Sequence, residues 1–319
     1  MFRYSVKAAL ILLVCCFACG NILAQQEKAA VAPRSELSPE KAISLAEQGQ
    51  CRNTLSALKH AMAPELPAST RKEAGVVAVR CFLLIDNRDA ALDFIRLLNK
   101  QFPQDPDVLF VVVHAYSDLS TRTAQDLARN APQSLAAHKL NAEALEMQGK
   151  WEPAQMEYEE MLRKDPNARG THFLLGRLLL SRPDAGPDAI PRAKQEFLSE
   201  LQIDPTNSDA EYILGELARH DENWQEAISR FSRAAKLNPG FAEAYLGWGA
   251  CLINLKKYEE AITPLRTAEH LAPGNPDVHN ALATALVRSG HKQEADAEFA
   301  IHRRLSSATP NASAPNAPE

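Results

Sequence analysis

The 9 histidines and 40 Asp and Glu residues of this 319-residue chain would suffice for acid–base or metal chemistry if their spacing made them converge. Their order along the chain supplies no such convergence. No segment reads His-Glu-x-x-His, which sets two imidazoles one helical turn apart for zinc, no Gly-rich loop precedes a Lys-Ser or Lys-Thr pair to cradle phosphate, and no Gly-x-Ser-x-Gly elbow presents a nucleophile. Beyond residue 24 there is no Cys-x-x-Cys. Isolated imidazoles such as His138 and His279 read as packed or solvated helix residues, and the acid pairs Glu159-Glu160 and Glu259-Glu260 as solvated helix faces. The residue types therefore point to no enzyme, no cofactor and no metal site.

The elements that would have to position any site are helices. Only 13 Gly are present, and the stretches between prolines are rich in Ala, Leu, Glu, Lys, Arg and Gln, which lose little side-chain freedom in a helix. A hydrophobic content of 45% is enough for a large core. At the start, Arg3 and Lys7 precede an apolar run from Ala8 to about Ala24, after which the chain turns polar; this is the pattern of a signal peptide, residues 1–24. An uncleaved membrane anchor is the alternative, but Gly20 and Asn21 interrupt a run already short for a bilayer span. A lipid anchor on Cys19 is a further alternative, weakened by the large Phe17 before it. Cleavage would remove Arg3 and Lys7 and no acid, taking the net charge from −5 to −7. Such a surface disfavours nucleic acid and anionic membranes as partners.

Residues 25–34 form a polar leader, and 306–319 read as a low-complexity disordered tail with too few large apolar groups to order themselves. Between them the sequence repeats itself. Shifted by 34 positions, Gly215 falls on Gly249, Trp224 on Tyr258, Ala227 on Ala261, Phe231 on Leu265, Ala234 on Ala268 and Pro239 on Pro273. Closing prolines mark units at 35–68, 70–103, 104–134, 135–168, 169–207, 208–241, 242–275 and 276–305. These units resemble tetratricopeptide repeats, whose pattern places Leu-Gly, two large residues, Ala, Phe and Pro at fixed offsets; here it reads Leu214-Gly215, Trp224, Ala227, Phe231, Ala234 and Pro239. The resemblance implies an all-α fold of helix-turn-helix repeats stacked into a right-handed superhelical solenoid. Small residues at Gly215, Gly249, Ala227 and Ala261 let helix axes approach, and Phe231 and Leu265 fill the space toward the next unit.

Residues 135–305 match well and 35–134 are degenerate. The runs "GVVAVRCFLLID" and "DVLFVVVHAYSDL" would pass alone for buried strands, but their place in the array argues for helices. Unit 104–134 reads as a truncated pair with a short second helix in "TRTAQDLARN". Unit 169–207 carries five extra residues within "SRPDAGPDAIPR", where Pro183, Pro187 and Pro191 indicate a loop, either a tolerated insertion or a binding element.

By repeat position, Cys51 and Cys81 lie on helices that should pack side by side, so they either form a disulfide or remain two buried thiols; Cys251 reads as a small core residue. In tetratricopeptide arrays the free face of each first helix lines a concave groove. Carried over, that face presents Lys139, Glu143 and Glu146, then Arg177, then Tyr212, Glu216 and Arg219, then Leu246, Ile253 and Asn254, and finally Asn280, Thr284 and Arg288. The family's clamp for a C-terminal carboxylate needs Asn where Glu143 stands, so no such clamp is expected. The apolar strip Tyr212, Leu246 and Ile253, flanked by Arg and Asn, suits an extended or helical peptide with apolar anchors and acidic neighbours, unless these residues complete the core or cover a solvated face. The resulting expectation is an exported, periplasmic or secreted scaffold without catalysis that binds a protein or peptide. The alternatives are a lipid-anchored envelope assembly factor and the regulatory subunit of an enzyme complex.

Overall fold

The computed structural model describes residues 37–183 and 186–308. The expected signal peptide, the polar leader, Cys19 and most of the expected tail lie outside the described residues. Among the described residues every regular element is a helix, and the chain divides after Thr123 into two compact units.

The first unit holds α1 (Pro39–Glu47), α2 (Leu55–Ala61), α3 (Ala68–Leu84), α4 (Arg88–Gln101) and most of α5 (Pro106–Asn130). Ser38 starts α1 by accepting from the Lys41 amide, and Asn87 starts α4 by accepting from the Ala90 amide, each satisfying a donor that has no partner inside its helix. The core centres on the stacked rings of Phe82 and Phe94, 5.8 Å apart. Gly75 on α3 is required by close approach, since a Cβ there would lie 2.6 Å from Leu98 Cδ2. Both valine-rich runs are helical. On α5, Val108, Val111, Val112 and Ala115 fall at i, i+3, i+4 and i+7 and are buried together, so tertiary packing overrides the β preference of valine.

The expected helix pair at 104–134 is corrected: α5 is one continuous helix of 25 residues. After Pro106, which is harmless at a helix start, no Gly or Pro breaks the run. Thr121 and Thr123 donate their hydroxyls to the carbonyls of Ser117 and Leu119, and Arg122 pairs with Asp118 one turn back, so the polar segment is satisfied as helix.

The second unit continues with five helix pairs: α6 (Leu135–Met147) with α7 (Trp151–Lys164), α8 (Thr171–Ser181) with α9 (Ala189–Ile203), α10 (Ser208–His220) with α11 (Trp224–Leu237), α12 (Ala242–Asn254) with α13 (Tyr258–Leu271), and α14 (Pro276–Arg288) with α15 (Lys292–Ala308). Each second helix also packs on the next first helix, and α12 touches both α10 and α14, the contact order of a helical-repeat solenoid. The turns inside the pairs share one backbone feature. Gly149, Glu222, Lys256 and Gly290, at equivalent repeat positions, all take the left-handed conformation, with φ of 69°, 56°, 58° and 90°. Pair α8/α9 replaces that turn with the insertion, and Pro191, expected in its loop, sits instead in the first turn of α9. At the other end α15 runs to Ala308, three residues into the expected tail, with Ser307 donating its hydroxyl to the Arg304 carbonyl.

Polar contacts couple the two helices of most pairs at one recurring site. His138 Nδ1 lies 2.6 Å from Glu157, His172 Nδ1 2.6 Å from Glu196, and His279 Nδ1 2.7 Å from Glu298. In α10/α11 the signs reverse, and the fully buried Glu211 takes Arg230 at 3.0 Å and Arg233 at 3.0 Å. Removing one partner of such a buried pair leaves an uncompensated charge. The equally buried Glu200 accepts from the amides of Gly170 and Phe173, placing an anion on the positive end of α8.

Cys51, in the connection from α1 to α2, and Cys81, near the end of α3, are joined by a disulfide with Cα atoms 5.5 Å apart. It closes a loop across a separation of 30 residues, for which the chain-entropy account gives about 3 to 4 kcal/mol. Reduction is therefore expected to lower the stability of the first unit by about that amount. Urea unfolding followed by far-ultraviolet circular dichroism, with and without a phosphine reductant, checks this; an unchanged transition on reduction contradicts it. All 3 tryptophans, Trp151, Trp224 and Trp248, lie in the second unit, so their fluorescence reports that unit separately.

Candidate functional site

The residues expected to line a groove lie on the first helices of the second unit, and α10 assembles them most closely. Tyr212, Glu216 and Arg219 are spaced i, i+4 and i+7 and form one stripe. Tyr212 is half-buried, with its ring 5.6 Å from that of Phe231 and 4.8 Å from that of Phe241, so most of its surface already serves the core. Burial, and then the neighbouring Glu216, push the Tyr212 phenol up. Arg219 is exposed and held 2.6 Å from Glu216.

Glu216 and Arg219 border a cleft of about 560 Å³ that the sequence did not indicate. Leu179 and Leu180 of α8 and Leu217 of α10 give it an apolar lining, and the far wall is the insertion, through Pro187 and Ile190. Ile190 of this wall is 47% exposed. The volume of the cleft lies within the roughly 300–1,000 Å³ typical of ligand pockets. The groove stripe and the Pro-rich insertion, read separately in sequence, thus form one site.

The remaining expected positions do not join this cleft. Arg177 on α8 reaches back to Glu146 of α6 at 3.0 Å, and Glu146 also accepts from the Tyr158 hydroxyl at 2.6 Å. Burial and that carboxylate together raise the Tyr158 pKa far above its ordinary value. Leu246 and Ile253 are half-buried and pack on the core of Leu252, Leu265, Leu282 and Leu286. Asn254 is exposed but donates to the Ala250 carbonyl of its own helix at 3.0 Å. Asn280 is exposed on α14, where its carbonyl accepts from Thr284. Lys139 lies 4.0 Å from Glu143, and the Arg288 guanidinium sits 5.8 Å from the centroid of the Tyr258 ring. Each cation on this face therefore has a local partner. Solvent-exposed pairs of this kind contribute about 0–1 kcal/mol, so an incoming carboxylate can exchange into them.

Residues 218–283 match the tetratricopeptide repeat family, spanning the end of α10 through most of α14. Together with the helix-pair stack, this defines the fold class: an all-helical repeat array that carries tetratricopeptide-type repeats over residues 218–283. Among solved structures, a MamA protein is 22% identical, with 58% of this chain and 98% of that chain covered and a TM-score of 0.47. YrrB, described as a TPR protein with an unusual peptide-binding site, is 20% identical, with 58% of this chain and 92% of that chain covered and a TM-score of 0.49. No curated protein matches the chain. Among the described residues no helix is long and apolar enough to cross a membrane.

Cys251, on α12, is fully buried, and burial pushes its thiol up to about 11. Since the thiolate is the reacting form, the folded protein at pH 8 should resist iodoacetamide at Cys251 and become alkylated only in urea. Peptide mass mapping reads this directly; native labelling at the rate of an exposed thiol contradicts it.

Proposed function

We propose that the chain is an exported, noncatalytic tetratricopeptide-repeat scaffold that binds an extended polypeptide segment on its second unit. The observation carrying this reading is the cleft between the insertion and the end of α10, where an apolar floor meets Glu216, Arg219 and His220 at the rim. An apolar side chain of the partner fills the space between Leu179, Leu217 and Ile190, and an acidic neighbour exchanges into the Arg219 pair. Apolar anchoring then supplies affinity, and the charge supplies orientation. The stripe from Tyr212 to Arg219 continues the binding surface along α10, the helix face that lines the concave groove of such arrays.

Export is supported by the charged start followed by an apolar run, and by the Cys51–Cys81 disulfide, a bond that persists in oxidising compartments. Sequencing the N-terminus of the natively produced protein should find Gln25 first. An intact Met1 contradicts export, and a lipidated Cys19 replaces it with an anchored form.

Peptides selected on the immobilised protein from a random library should carry a large apolar residue close to Asp or Glu. Ile190→Asp and Arg219→Glu, each shown folded by circular dichroism, should weaken the selected peptides about tenfold or more, the equivalent of about 1.4 kcal/mol. Undiminished binding by both variants contradicts this site.

A further inference from the structure

His279 lies in the first turn of α14 with only 2% of its surface exposed, and its two ring nitrogens have different partners. Nε2 is 2.9 Å from the Pro273 carbonyl, which can only accept, so Nε2 carries a proton. Nδ1 faces inward, 2.7 Å from Glu298 of α15. Glu269 of α13 completes the cluster: one ligand atom from each of Glu269, His279 and Glu298 lies within 4.8 Å of the others. Anchoring one imidazole N–H on a backbone carbonyl is how proteins aim the other nitrogen at a metal.

Comparison with the other repeats separates this cluster from the ordinary polar couplings. The position of Glu269 is occupied by Leu162, Leu201 and Ala235 in the three preceding repeats, each packed in the apolar core. That the position faces the next first helix is visible in α11, where the Ala235 carbonyl lies 3.5 Å from the Tyr245 hydroxyl. His172 accordingly has Glu196 beside it and Leu162 at the place where His279 has a second acid. A second carboxylate beside Glu298 repels the first, and a cation in contact with both, whether the imidazolium of His279 or a metal ion, relieves that repulsion. The other imidazole nearby, His302 of α15, turns its Nδ1 to the Pro276 carbonyl at 2.9 Å and is not aimed at the cluster.

We propose that Glu269, His279 and Glu298 form a binding site for a first-row divalent cation such as zinc, ligated by Nδ1 and two carboxylates with solvent in the fourth position. One imidazole and two carboxylates form a borderline donor set suited to such ions. Bond lengths of about 2.0–2.2 Å place tetrahedral ligand atoms about 3.3–3.6 Å apart, so His279 and Glu298 need part by less than about 1 Å. The ion takes the place of the hydrogen between Nδ1 and Glu298, which leaves to solvent. Bound there, it ties α13 to α14 and α15, joining the last helix pair to the one before it.

Equilibrium dialysis of the full chain against zinc, with metal analysis of the protein, tests the site. The variant is Glu269→Leu, which installs the residue found at 162 and 201 and keeps the His279–Glu298 pair; Glu269→Gln is the isosteric second variant should the first fail to fold. The unmodified chain should hold one zinc ion more than either variant, and zinc should raise its unfolding temperature but not theirs. Equal zinc uptake by the unmodified and variant chains, including none in either, would overturn the proposal.

Discussion

The ring of Phe231 sets the spacing on which the second unit depends. It lies between two glycines of different repeats: a Cβ on Gly215 would come within 2.8 Å of its Cδ1, and a Cβ on Gly247 within 2.8 Å of its Cζ. One fully buried side chain on α11 therefore fixes the approach of α10, its own partner, and of α12, the first helix of the next pair. The close approach within a pair recurs where Phe197 closes on Gly176 and Leu265 on Gly249. A helix pair cannot bury both of its faces alone. Passing one large side chain from each pair to its neighbour turns several marginal pairs into one core.

Everything else on the second unit is arranged around that packing. The His–Glu and Glu–Arg couplings lock four of the five pairs internally at a single recurring site. The first helices keep one stripe partly exposed, and charges on it settle into local pairs such as Arg219 with Glu216. Where the insertion lengthens the connection from α8 to α9, its Pro187 and Ile190 roof that stripe and create the cleft. The cleft thus arises at the place where the repeat departs from its period.

Repeating spacings made the fold legible. Gly215, Ala227, Phe231 and Pro239 recur after 34 residues at Gly249, Ala261, Leu265 and Pro273, and each contact they imply depends on neighbours within one or two repeats. In α5 the array suggested a turn that the residues do not supply, and local helix chemistry prevailed over the repeat period. The stripe expected to line a groove was legible as a helix face but not in how its residues are packed. Tyr212, Leu246 and Ile253 lie on the stripe but spend much of their surface on Phe231, Phe241 and the Leu252 core, because aromatic and aliphatic residues on a small repeat's face are drawn into gaps between helices. Ile190 carries no sequence signal because its partners come from α8 and α10, and the Glu269, His279 and Glu298 cluster carries none in its spacing because separations of 10 and 19 residues match no metal motif. The signal was present in the alignment of repeats, where an acid replaces Leu, Leu and Ala.

The central claim is that Phe231 couples the pairs on both sides of it, and hydrogen exchange of Phe231→Ala measures this most directly. Truncating a buried Phe costs about 3–5 kcal/mol, enough to read as lost amide protection in whatever the ring supports. The account predicts that protection falls in α10 and α11 and equally in α12, across the boundary between pairs. Loss confined to α10 and α11, with α12 as protected as before, would contradict it.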